Sequence, residues 1–219
     1  VTRIRLIALA SASIFLLTGC GAVPAFNPGV AARVGDETVS LDQVDDVSTS
    51  FCNYVEGQLQ AGQVLAGHYL RGQVAGALAL RVAVDQFAEE QGVSAADDYA
   101  QAVAEAEKQL NSLPDDQVQA VIDVQGVPLY LQAVEKSVGE QQGASGDDAT
   151  KAGEAAFLDW LDQQDIDVDP RFGISIEKGA TQPADTSLSF GVGDVTKKAD
   201  ANEPDTAYAA GLPETQRCG

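Results

Sequence analysis

The sequence predicts a mainly α protein with a small β element formed by two N-terminal strands and one late strand. Three observations carry this. Apolar residues recur at three- and four-residue spacing through most of residues 41–163, the period of a helix with one buried face. Before them, Val30–Val34 and Glu37–Val39 flank a Gly35-Asp36 turn pair. After them, Ile166, Val168, Phe172 and Ile174 read as a closing strand that could pair with the first two.

Taken in order, residues 1–19 read as a secretory signal. Arg3 and Arg5 give a positive start, and Leu6–Leu17 form an apolar run too short to span a bilayer comfortably. Leu17-Thr18-Gly19-Cys20 resembles the lipobox of bacterial lipoproteins. That resemblance implies that Cys20 becomes the lipidated first residue of the mature chain, since two acyl chains anchor stably where one is marginal. An ordinary cleaved signal with a chance cysteine is the alternative. The chain opens on Val and its sequence contains no Met, which suggests an alternative start codon read literally. Residues 20–29, with Pro24 and Pro28, form a tether.

The domain proper is expected over residues 30–178. Ser40 with Gln43 forms a capping-box pattern, opening a helix with Leu41, Val44, Val47, Phe51, Val55 and Leu59 on one face. Gly57, Gly62, Gly67 and Gly72 then recur, and glycine costs roughly 1 kcal/mol per helical position, so a loop or broken helix is predicted. A helix resumes near Tyr69 and stops at Gly92. Its Leu78, Leu80, Val82 and Val84 alternate and leave a strand possible, but the Ala-rich flanks and the length favour helix. Ser94 to Asp97 caps the next helix, through Tyr99, Val103, Ala106 and Leu110. Pro114 separates it from one carrying Val118, Val121 and Ile122, and Pro128 kinks or splits that one before Tyr130–Val138. Residues 139–148 read as a polar linker. A last helix, roughly Ala149–Gln163, carries Phe157, Trp160 and Leu161 as a core anchor. Beyond Gly179 periodicity ends, and residues 179–219 are expected to be extended or disordered apart from a tie at Cys218.

Composition narrows the partners. Hydrophobic residues make up 45% of the chain and aromatics 6%, so the core must be built from Ala, Val and Leu. The net charge of −20 becomes about −22 once residues 1–19 are removed, because they carry two arginines and no carboxylate. Such a surface repels nucleic acid and anionic lipid and favours basic partners, although solubility alone is a sufficient reason for it. With Cys20 assigned to lipid, Cys52 and Cys218 remain in a compartment that permits disulfides. They are expected to pair, closing a loop worth at most roughly 5 kcal/mol; two free thiols are the alternative.

Catalytic patterns fail one by one. The single histidine, His68, has no nucleophile elbow beside it. Cys52 and Cys218 lack the spacing of a zinc or redox pair. Gly191 and Gly193 lack the third glycine of a dinucleotide loop, and no phosphate loop exists. Asp165, Asp167 and Asp169 resemble the start of a calcium loop, but Pro170 and Ile176 stand where Gly and Glu are needed. Acidic pairs such as Asp97-Asp98 and Asp115-Asp116 suit helix starts. No catalytic residue, metal or cofactor is expected.

Val34 to Ser40 running into a long helix, Glu89 to Ser94 between two helices, and Val168 to Gly173 after the last one together resemble a known arrangement. It is the N-terminal chaperone module of SurA-like and PrsA-like foldases, in particular actinobacterial lipoproteins of the SurA N-terminal type, with a relative in trigger factor. The resemblance covers roughly residues 30 to 175. It implies holding of unfolded exported polypeptides in an apolar cradle, at the outer face of the cell membrane. Phe51, Tyr54, Tyr69, Leu70 and Tyr130 are the candidate contacts. A scaffold for one dedicated folded envelope partner is the other reading. The parvulin isomerase domain that usually accompanies the module has no counterpart here, so isomerase activity is not implied.

Overall fold

In the computed structural model the described residues are 28–184, 193–199 and 205–219. The expectations for residues 1–19, for Cys20 and for most of the tether lie outside them. The fold is mainly α with small antiparallel sheets.

Strand β1 (Val30–Val34) turns at Gly35, where φ is +56°, into β2 (Glu37–Ser40). A bulge between Val30 and Ala32 lets consecutive residues Ala31 and Ala32 both face inward, at 1% and 2% exposure. Ser40 then caps α1 (Leu41–Glu56) by accepting a hydrogen bond from the Gln43 amide at 3.0 Å. After a loop and the two-residue β3 (Leu65–Ala66), α2 (Gly67–Gln91) runs through the centre of the molecule. Its middle, Val74–Leu80, is buried on every side, as expected of a helix segment covered all round. Both the alternating and the helical readings of Leu78–Val84 were compatible with that burial, and the helix is what forms.

Two glycines in α2 mark close approaches, and one of them, Gly72, belongs to the run the sequence suggested as a break. A Cβ on Gly72 would lie 2.6 Å from the Phe172 carbonyl oxygen, and one on Gly76 would meet Thr181. Gly92, at φ +65°, ends α2 as predicted. Ser94 does not cap α3 (Asp97–Gln109): Ala96 holds the cap position with no side-chain bond, and the Ala96 amide instead donates to the Ala133 carbonyl at 3.2 Å. Helix α4 (Asp115–Gln125) follows Pro114, and α5 (Val127–Gln141) begins after Gly126. Pro128 sits in the first turn of α5, where its missing N–H leaves no bond unmade.

The linker expected at residues 139–148 shrinks to a short loop, because Gly139 is buried within α5 and α6 (Asp147–Leu161) starts early. Phe157 and Trp160 pack on Phe87 with ring centroids 5.2 and 5.6 Å apart, and the Trp160 indole donates to Glu90 at 2.8 Å. Burying a ring of this size contributes about 1.5–3 kcal/mol.

The closing strand is split. Only β4 (Ile166–Val168) pairs with β1, giving a sheet ordered β2-β1-β4. The Asp169 carboxylate accepts from the Arg171 amide at 2.9 Å and turns the chain through a 3-10 turn, Pro170–Phe172. Strand β5 (Ile174–Glu177) then pairs with β6 (Ala180–Pro183) instead. The tail also departs from expectation. It carries α7 (Asp194–Ala199), α8 (Thr206–Ala210), a 3-10 turn at Glu214–Gln216, and β7 (Arg217–Cys218), which pairs with β3. A disulfide joins Cys52 to Cys218 across 166 residues of sequence.

Candidate functional site

Helix α3 is the least covered of the long helices. Tyr99, Val103 and Ala106 repeat on one side at helical spacing, yet none of its residues is buried. Polar contacts fix its first half. The Lys136 ammonium meets the Asp98 carboxylate at 2.8 Å, and that hydrogen bond holds Asp98 below its ordinary range. The rings of Tyr99 and Tyr130 lie 5.0 Å apart, and the Arg81 guanidinium stands 3.9 Å over Tyr130. Tyr130 donates its hydroxyl to Asp85 at 2.6 Å, and burial together with that carboxylate pushes it up to about 12.

Between α3, α5 and α6 lies a groove of about 340 Å³. Tyr99 and Ala102 form its α3 side, Leu129, Gln132 and Lys136 its α5 side, and Asp147 and Thr150 its α6 side. Leu129 is 52% exposed. The α5 sequence Leu129-Tyr130-Leu131 contains the signal for this, because three consecutive apolar residues cannot all point inward from one helix. The lining combines an apolar strip with acidic ends, Asp98 and Asp147. The Lys136 amine, bonded to Asp98, is raised above its usual value and stays protonated.

The five residues expected to contact a client do not converge on this groove. Phe51 and Leu70 are buried in the main core at 8% and 4% exposure, which corrects their reading as contacts. Tyr54 packs half-buried against the same core, its ring 6.0 Å from Phe51. Tyr69 joins a separate small cluster with Val64, Ala66 and Ala209. Tyr130 is tied to Asp85 beneath Arg81. They scatter because aromatic residues near the core face of a helix are drawn into the core.

Other chemistry-bearing groups stand apart. His68 is exposed with its ring edge-on to Tyr208 at 6.2 Å. Potential ligand atoms of Cys52, Glu56 and Cys218 lie within 4.8 Å of one another, but both sulfurs are used in the disulfide. Glu135, 7% exposed on α5, is pushed up to about 7 by burial and by Glu154. No family model, curated protein or solved structure matches the chain.

Proposed function

We propose that the protein is a chaperone-like binding module without catalysis, held by lipid on Cys20 at the outer face of a membrane. It holds short apolar segments of unfolded, exported chains in the groove between α3, α5 and α6. The observation that carries this reading is the groove itself, walled by half-buried Tyr99 and Ala102 of α3 and edged by Leu129, which is 52% exposed. A partner seated in the groove gains about 25 cal/mol for each Å² of apolar surface it covers, before ordering costs are subtracted. Affinity for any one segment is therefore modest, which suits a holding role. Asp97, Asp98, Asp147 and Asp148 are exposed around the groove and favour segments with basic residues.

Light scattering from a denatured test protein checks the proposal. The intact chain is expected to slow aggregation at near-stoichiometric amounts. Leu129→Asp should weaken that effect several-fold while leaving the unfolding midpoint within experimental error, because the residue is at the surface. No slowing at several-fold excess overturns the holding role. A photoreactive group at position 129 that captures one cellular species, in place of many, points to the dedicated-partner alternative.

A further inference from the structure

Residues 205–219 form a strap that lies against β3 and the adjoining parts of α1 and α2. Its α8 contributes Ala209, 1% exposed, to a small apolar cluster with Val64 and Ala66, around which Tyr69, Tyr208 and Leu212 pack. This cluster is separate from the main core, and among the described residues of the strap only Cys218 reaches that core. Strand β7 pairs with β3 over two residue pairs, Leu65 with Cys218 and Ala66 with Arg217. The Gly219 amide donates to Glu56 at 3.0 Å. A two-pair ladder and so small a cluster are weak on their own, because neither buries much surface or closes its cost of ordering. The covalent tie between Cys52 and Cys218 is what makes the strap persistent.

We propose that the Cys52–Cys218 bond is a releasable latch, and that its reduction frees the strap and uncovers a second apolar binding surface made by Val64, Ala66 and Tyr69 beside the edge of β3. The strap itself indicates the occupant. It is a short run of small and aromatic residues, Thr206 to Ala210, followed by an extended pair that adds a strand to β3. An unfolded polypeptide segment of the same character competes for the surface once the strap is loose. This inference is independent of the groove at α3.

The reductant is a dithiol. Its thiolate attacks Cys52 Sγ, the half-buried sulfur, and forms a mixed disulfide. The Cys52–Cys218 bond breaks, its electron pair leaves on Cys218 Sγ, and that sulfur takes a proton. The second thiolate of the reductant then attacks its own partner sulfur, closing the oxidised ring. Cys52 leaves as a thiolate and is protonated, so two electrons and two protons pass to the protein.

The test is hydrogen exchange on the full chain with and without dithiothreitol. Reduction is expected to speed exchange about tenfold or more at residues 65–66 and 206–218, leaving β1 and α2 unchanged. Nile red fluorescence should rise with it, and Cys52→Ser with Cys218→Ser should match the reduced protein without reductant. Unchanged strap protection after complete reduction overturns the latch. Loss of protection across β1 and α2 overturns it too, showing a staple of the whole fold. Strap release with no added Nile red binding overturns the second surface.

Discussion

Glu135 is a carboxyl in an apolar place. Packed between α5 and α6 at 7% exposure, it is pushed up to about 7 by burial and by Glu154, from an ordinary 4.5. Between those values the folded chain holds a proton that the unfolded chain has released, so stability falls as pH rises through this window. Above about 7 the fold carries the whole cost of ionisation, at most roughly 3 kcal/mol at 1.36 kcal/mol per pKa unit. Asp98, Asp169 and Asp205 act elsewhere on the scale. Hydrogen bonds from Lys136, from the Arg171 side chain and from the Tyr208 amide hold them low. Their stabilisation is present above the ordinary aspartate range and is lost only as pH falls through their folded values. Urea midpoints at about pH 5 and about pH 8 isolate Glu135, because Glu135→Gln should remove much of the decline between them. A decline equal to that of the parent chain would show that the carboxyl ionises at no cost. The sequence places Glu135 at the edge of the α5 core face, four residues after Leu131 and three before Val138, but a carboxyl at such an edge ordinarily turns to solvent, so its burial is not legible. The cysteine pair was legible for the opposite reason: two candidates admit one pairing, and a sequence separation of 166 does not obscure it.

The contact of α5 with α6 explains that burial, and it rests on two glycines. A Cβ on Gly153 would lie 1.8 Å from the Glu135 carbonyl oxygen, and one on Gly139 would lie 1.9 Å from that of Ala149. Both obstacles are backbone, so neither helix can yield by turning a side chain. Gly153→Ala is expected to destabilise by about 1–3 kcal/mol or more through overpacking, against about 1 kcal/mol gained in helix propensity. Denaturant unfolding checks it, with Gly57→Ala as the control, where the new Cβ meets nothing closer than 3.4 Å. A stabilised Gly153→Ala would mean that the helices stand farther apart. Glycine has two opposite uses in a helical protein, and spacing along the chain does not separate them. That ambiguity made Gly139 read as a linker and Gly72 as a break. Periodicity located α1, α4 and the core of α6 because each has one wet face, whereas the middle of α2, buried without interruption from Val74 to Leu80, matched strand and helix alike. The closing strand was misjudged across Asp169-Pro170, where the local turn outweighs the alternation on either side.

At the scale of the whole molecule, the fold class followed from hydrophobic period, which tertiary packing seldom reverses. The groove was not legible, because it depends on how far α3 stands from α5 and α6, and that distance is set by Tyr99, Arg81 and Tyr130 meeting across three elements. Charge then limits how the molecule can meet a membrane. A net charge of −20 is repelled by anionic lipid, and among the described residues no helix is long and apolar enough to cross a bilayer. The proposed attachment at the outer face rests on acyl chains on Cys20, at about 0.8 kcal/mol per buried CH₂. Cys20→Ala is expected to move the protein from the membrane pellet to the soluble fraction, with the far-UV helix signal unchanged. The parent chain should stay in the pellet at high salt, because apolar burial is not screened and attraction between charges would be. A Cys20→Ala protein that still sediments with membranes at high salt would place the anchor elsewhere. The proposed holding of exported chains in the groove would then lose its address.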